Sequence, residues 1–68
     1  MFKLLSSNEI IKILQRNGFV FISQKGSHKK FQKADKTVIV PAPKKEIPAG
    51  TLFSIIRQSG LSKTDFIK

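Results

Sequence analysis

The chain has 68 residues, enough for one domain and close to the lower limit at which a single apolar core is self-sufficient. Because it has no cysteine, neither disulfides nor a thiolate metal site can supplement that core, and a reducing cytoplasm is the expected compartment. Thirteen Lys and Arg against four Asp and Glu give a formal net charge of +9. Such a charge attracts polyanions, whether nucleic acid, an anionic membrane surface or an acidic protein.

No segment of the sequence has the character of a membrane anchor or a secretory signal. The longest stretch without a charged residue, residues 47–56, is far shorter than the roughly 20 residues of a membrane-spanning helix. Residues 1–5 lack the apolar run and small-residue cleavage site of a signal peptide. We therefore expect a single domain over residues 1–68 that begins at Met1, stays in the cytoplasm and does not associate with membranes.

The first helix is indicated by its cap. Ser6 and Glu9 have the spacing of a capping box, which predicts a helix that begins at about Ser7. The string Asn17-Gly18-Phe19 is typical of a helix end with glycine in the left-handed conformation. Between these signals, apolar residues at helical spacing predict one buried stripe, formed by Ile10, Ile13 and Leu14.

Three short runs follow the helix. The first and third are rich in β-branched or aromatic residues, and the second lies between two candidate turns. They predict strands over residues 19–24, 28–32 and 37–40, the last closed by Pro41. Lys25-Gly26-Ser27 and the segment from Lys33 to Lys36 are the turn candidates between them. Strands joined by such short turns predict a three-stranded antiparallel meander.

The remainder of the chain predicts a loop and a second helix. All three prolines lie in residues 41–48, and Pro48 can occupy the first turn of a helix that Ser59-Gly60-Leu61 terminates. Ser62 and Asp65 are spaced as the cap of a short last turn. The order α-β-β-β-α predicts an α+β fold in which both helices pack on one face of the sheet. The other face is then open to solvent or a partner.

Strand alternation indicates which side chains reach that open face. In the second strand His28, Lys30 and Gln32 share one face, while Lys29 and Phe31 share the other. Because Phe31 suits the core, His28 is predicted to face outward. In residues 19–22 both parities are apolar, so one set is either exposed or redirected by a bulge, and an exposed set would be a candidate partner-binding surface.

Two ordered strings of residues resemble a known family. They are Gly26-Ser27-His28-Lys29-Lys30-Phe31, set between Asn17-Gly18-Phe19 and Val40-Pro41, and the later stretch from Lys44 to Leu52 (KKEIPAGTL). In this order they resemble the HicA toxins. The resemblance implies a fold similar to the double-stranded RNA-binding domain, cleavage of mRNA that arrests growth, and neutralisation by a HicB-type antitoxin. It also implies that His28 is the catalytic residue.

One departure from the family pattern affects the expected mechanism. Many members carry a second histidine shortly after the Val-Pro pair, where this chain has Ala42-Pro43-Lys44. Metal-free cleavage of RNA needs a base for the 2'-hydroxyl proton, an acid for the leaving oxygen and positive groups near the phosphate. His28 suits a proton-transfer step, and a lysine or the substrate is left for the second one.

The candidate RNA-binding residues lie around His28 in the sequence. Ser27 and the Gly26 amide are expected to donate hydrogen bonds to a phosphate, and Lys30 is favoured among the lysines because it shares the face of His28. The remaining candidates are lysines expected at the same hairpin or along a track in the proline loop: Lys25, Lys29, Lys36, Lys44 and Lys45. Because the four carboxylates are scattered, we expect neither a metal nor another cofactor.

Two other functions are compatible with the same composition. One is a non-catalytic RNA-binding module, which would use the basic hairpin without cleaving its ligand. The other is an interaction protein whose charge serves an acidic partner. For the toxin, we expect a monomer when alone and a hetero-oligomer with the antitoxin.

Overall fold

The structure, a computed structural model, describes residues 4–66. Its first helix, α1, spans Ser7–Arg16 and begins at the predicted capping box: the backbone N–H of Glu9 donates to the Ser6 hydroxyl at 3.1 Å, and the backbone N–H of Ser6 donates to the Glu9 carboxylate at 2.8 Å. Asn17 is the C-cap, and Gly18 follows with a φ of +91°. The predicted bounds are confirmed, because both ends are set by local interactions.

Three strands form an antiparallel sheet in the order β1-β2-β3. They are β1 (Val20–Lys25), β2 (His28–Lys33) and β3 (Lys36–Pro41). Two-residue turns join them, with a left-handed residue at the first position of each: Gly26 has a φ of +59° and Ala34 a φ of +54°. The register of β1 on β2 shifts between Phe21 and Ser23, so Ile22 is the extra residue of a β-bulge.

The second helix, α2, spans Ala49–Ser59. Pro48 is its N-cap, one position earlier than the predicted place in the first turn, and Gly60 ends it with a φ of +72°. A 3-10 turn, η1, follows over Lys63–Asp65 and has the predicted capping box between Ser62 and Asp65. The predicted domain of residues 1–68 includes residues 1–3 and 67–68, which lie outside the described residues.

Both helices pack on the same face of the sheet. One core cluster joins side chains of α1, α2 and η1's C-cap to the strand residues Phe31, Val38 and Val40, which share a face by alternation and register. The buried helix and loop residues of this cluster include Ile10, Leu14, Ile47, Leu52, Ile55 and Phe66. The predicted α+β fold, with α-β-β-β-α order and one open sheet face, is therefore confirmed.

The two helices run in the same direction relative to the sheet. The loop that follows β3 begins next to His28, the first residue of β2. The N-terminus of α1 contacts this loop, since the Ser7 N–H donates to the Lys44 carbonyl at 3.0 Å. At the other end, the Lys33 side chain packs over Gly18 and the Lys36 side chain packs over Gly60. Lysine ammonium groups near helix C-termini complement the helix dipoles, whose positive ends lie at the opposite end of the sheet.

Candidate functional site

His28 is the first residue of the central strand, at the end of the sheet where both helices begin. In the register it lies opposite Lys25 of β1 and opposite Pro41 of β3. Its side chain is exposed, whereas Phe31, on the other face of β2, is only 1% exposed. The prediction that His28 faces away from the core is confirmed, because the burial of Phe31 determines which face of β2 its neighbours occupy.

The His28 side chain lies in a concavity on the open sheet face, with a volume of about 630 Å³. Strand pairing explains the set: Lys30 of β2 lies opposite Ser23 of β1 on one side and Ile39 of β3 on the other. The lining residues, which we call the His28 groove, are Ser23, Lys25, Gly26, Ser27, His28, Lys30 and Ile39. Five of the sequence-predicted site residues are thus brought together: Lys25, Gly26, Ser27, His28 and Lys30.

The hairpin turn at the edge of the groove is shaped by Gly26 and Ser27. A positive φ at the first turn position followed by an ordinary φ is typical of a type II′ hairpin turn, in which glycine is strongly preferred at the first position. The Gln24 side-chain amide donates to the Gly26 carbonyl at 3.0 Å. Nothing lies within 4 Å of the position that a Gly26 Cβ would occupy, so a ligand can approach this backbone closely.

The loop after β3 extends the cationic surface away from the groove. The antiparallel pairing of β2 and β3 continues into this loop by one hydrogen bond, which the Ala42 N–H donates to the Ser27 carbonyl at 2.7 Å. Ser7, only 2% exposed, then holds Lys44: its hydroxyl accepts from the Lys44 N–H at 3.0 Å and donates to the Lys44 carbonyl at 3.2 Å. The side chains of Lys44 and Lys45 remain exposed and do not line the groove, and the Lys44 backbone is fixed at the start of α1.

Two of the predicted RNA-binding lysines lie elsewhere. Lys29 alternates with His28 along β2 and is therefore on the helix face of the sheet, partly buried. Lys36 lies opposite Lys33 in the β2–β3 hairpin, five residues along β3 from Pro41, which corresponds to about 17 Å. The expectation that Lys36 shares the hairpin of His28 was wrong. His28 begins β2, whereas Lys36 follows the turn at the other end of β2.

Sequence reasoning missed three residues of this region. Ser23 and Ile39 line the groove because of the register across three strands, and Ser23 shares the face of His28 only because the bulge at Ile22 shifts its parity. Ser7 was predicted only as the start of a helix. The spacing between Ser7 and Lys44, 37 residues, gives no local signal that could reveal their contact.

None of the described residues that line the groove carries a carboxylate. Within residues 4–66 no group of three or more His, Asp or Glu side chains is arranged to hold a metal ion. In the same part of the chain, no helix has the length and apolarity needed to cross a membrane. Because Lys25 and Lys30 line the groove and no carboxylate of residues 4–66 does, lysine sets the local charge of the groove.

The fold and the groove together define a small basic α+β domain that presents one imidazole among ammonium groups on an open sheet face. A family model described as the HicA toxin of bacterial toxin–antitoxin systems matches residues 7–61, most of the chain. The protein therefore belongs to the HicA toxin family, and it is the toxin of a toxin–antitoxin system, with an antitoxin as its partner. A search of curated proteins found no match.

Proposed function

We propose that this toxin is a metal-independent endoribonuclease that cleaves mRNA in the His28 groove and thereby arrests growth. The observation that supports it most directly is the position of His28, exposed on the open sheet face in a concavity that it shares with Lys25 and Lys30. An imidazole accepts and donates protons near neutral pH, and the two ammonium groups supply the positive charge that a phosphate diester requires.

The reaction uses the 2'-hydroxyl of the RNA as its nucleophile. His28 accepts the 2'-hydroxyl proton, the 2'-oxygen forms a bond to phosphorus, and the bond from phosphorus to the 5'-oxygen breaks. The leaving 5'-oxygen takes up a proton from a lysine of the groove or from water. The products are a 2',3'-cyclic phosphate and a 5'-hydroxyl end, and DNA is not a substrate because it has no 2'-hydroxyl.

Positive groups of the groove hold the phosphate while its charge increases in the transition state. Lys30 extends from the same face of β2 as His28, and Lys25 lies directly opposite His28 in the register. The Gly26 and Ser27 backbone at the turn offers N–H groups to a phosphate oxygen. Lys44 and Lys45 bind the next phosphates along the strand, whereas Lys29 and Lys36, which lie away from the groove, contribute only to the long-range field.

The activity is tested by incubating the purified protein with single-stranded RNA in EDTA. We expect cleavage to 2',3'-cyclic phosphate ends, no cleavage when the RNA is replaced by DNA of the same sequence, and a loss of roughly 100- to 10,000-fold in rate for His28→Ala. Gln32→Ala is the matched control, since Gln32 is exposed on the same face of β2, at the other end of the strand. RNA binding without any product would instead indicate a non-catalytic RNA-binding module.

We also propose that the antitoxin is of the HicB type and forms a hetero-oligomer with the toxin. The groove is open to solvent in the structure, so a neutralising partner must cover it or block the approach of RNA. Co-purification of the toxin with the product of the neighbouring reading frame, with loss of RNA cleavage in the complex, is the expected result.

A further inference from the structure

In the part of the chain that the structure describes, the outer edge of β1 combines exposed apolar side chains with unpaired backbone. Val20, Phe21 and Ile22 are 57%, 50% and 46% exposed, although they are consecutive residues of a strand. Within residues 4–66, β1 pairs only with β2, and every one of its six residues is exposed. Phe21 lies opposite Phe31 and touches that ring edge-on at a centroid distance of 5.8 Å, yet half of its surface remains exposed.

The opposite edge of the sheet is protected. In β3, the Ile39 N–H points away from β2 and donates to the Gln58 side chain of α2 at 3.3 Å. Pro41, two residues further on the same side, has no N–H to offer. Monomeric proteins usually block strand edges in such ways, because an open apolar edge pairs with other chains. Among the described residues, the protein blocks the β3 edge and leaves open the β1 edge, where the apolar side chains are exposed.

We infer that β1 is the docking edge for the antitoxin, which adds a β-strand to the sheet and packs apolar side chains against Val20, Phe21 and Ile22. The inference rests on membership of a toxin–antitoxin family and does not depend on the proposed cleavage of RNA. Strand addition supplies affinity through main-chain hydrogen bonds and specificity through alternate side chains. A strand along β1 also passes Lys25, at the rim of the His28 groove, so docking there brings the antitoxin to the groove.

Charge selects the antitoxin over a second copy of the toxin as the occupant of this edge. Two copies each carrying a formal charge of +9 repel one another, and pairing of β1 with β1 would place two Lys25 side chains near the same interface. An antitoxin segment with acidic residues beside its apolar ones removes that repulsion and complements Lys25 and Lys30. The expected partner strand is therefore apolar at its centre and acidic at the end nearest His28.

The side-chain contribution is tested by a matched pair of substitutions. Gln32 of β2 lies between Val20 of β1 and Thr37 of β3, so Val20→Lys and Thr37→Lys add the same charge to the same row of the open face, at opposite edges. The measurement is isothermal titration of the purified product of the adjacent reading frame into each toxin variant. We expect Val20→Lys to weaken the affinity by about tenfold or more and Thr37→Lys by about twofold or less.

The backbone contribution is tested at Gln24. Lys25 and His28 close a two-residue hairpin, so they exchange hydrogen bonds, and the Gln24 N–H then points away from β2. Both Gln24→Pro and Gln24→Ala lose the side-chain hydrogen bond to the Gly26 carbonyl. Only Gln24→Pro also removes the outward backbone N–H. We expect Gln24→Pro to bind the antitoxin about tenfold more weakly than Gln24→Ala, with circular dichroism showing that both are folded.

Three results would overturn the inference. The first is that Val20→Lys and Gln24→Pro both bind the antitoxin as tightly as the wild type does. The second is an equal loss of affinity in Val20→Lys and Thr37→Lys. The third is a toxin that sediments as a homodimer on its own and becomes a monomer in Val20→Lys, which would assign the edge to a second copy. None of these titrations contains RNA, so their outcome is independent of whether His28 cleaves it.

Discussion

Lys29 and Lys30 are adjacent lysines whose substitution should have very different effects on RNA binding. Lys30 lies in the His28 groove, opposite Ser23 and Ile39, whereas Lys29 is on the helix face of β2 and is partly buried. Each change to alanine removes one positive charge from the same strand. The pair therefore separates a phosphate contact from the general effect of net charge.

The expected size of the difference follows from one phosphate contact. An exposed charge pair contributes up to about 1 kcal/mol, which corresponds to roughly a fivefold change in Kd for Lys30→Ala. Loss of one contact also lowers the slope of log affinity against log salt by about 0.7 for single-stranded nucleic acid. Lys29→Ala should leave the slope unchanged, because an ammonium group on the other face of the sheet releases no counterion from the bound strand.

Fluorescence anisotropy with a labelled 2'-O-methyl RNA measures both quantities, since this oligonucleotide lacks the nucleophile and remains intact during titration. Affinities are determined for the wild type and the two variants at several salt concentrations between about 50 and 200 mM, the range in which phosphate contacts strongly affect binding. Equal losses of affinity and of slope in Lys29→Ala and Lys30→Ala would refute the assignment of the open face as the RNA-binding surface.

Two stability predictions test the hairpins and the loop. Ala34→Gly should raise the free energy of unfolding by up to about 1.5 kcal/mol, because relief of a left-handed alanine (about 1–2 kcal/mol) exceeds the added entropy of unfolded glycine (about 0.4–1 kcal/mol). A lower melting temperature by circular dichroism would contradict this. Ser7→Ala should cost about 1–3 kcal/mol in urea unfolding, because the Lys44 N–H loses its partner. Asn8→Ala, at an exposed position of the same helical turn, should cost less, and equal costs would argue against the Ser7 contact.

Local signals in the sequence were sufficient to predict the elements. The capping box of Ser6 and Glu9, the left-handed glycines at residues 18 and 60, and the two short turns all act within a few residues, so their geometry can be derived without knowledge of the fold. The outward position of His28 was predictable for the same reason, since strand alternation and one core phenylalanine determine it.

Features that depend on contacts between distant residues were not predictable in the same way. The apolar run of residues 19–22 predicted that one set of β1 side chains is either exposed or redirected by a bulge. The structure shows both, since Val20, Phe21 and Ile22 are exposed and a bulge after Phe21 changes which face the later residues occupy. Lys36 lies at the far end of the sheet because β3 runs antiparallel to β2, and proximity in sequence to the His28 hairpin does not reflect this. The contact of Ser7 with Lys44 joins residues with no shared local pattern.

In the proposed mechanism, His28 moves a proton during metal-independent cleavage of RNA. The most direct measurement compares single-turnover cleavage of one single-stranded RNA in EDTA by the wild type and by His28→Ala, with the folded state of each confirmed by circular dichroism. We expect a 2',3'-cyclic phosphate product from the wild type and a rate lower by roughly 100-fold or more in the variant. An unchanged rate in a folded His28→Ala protein would show that His28 does not transfer the proton.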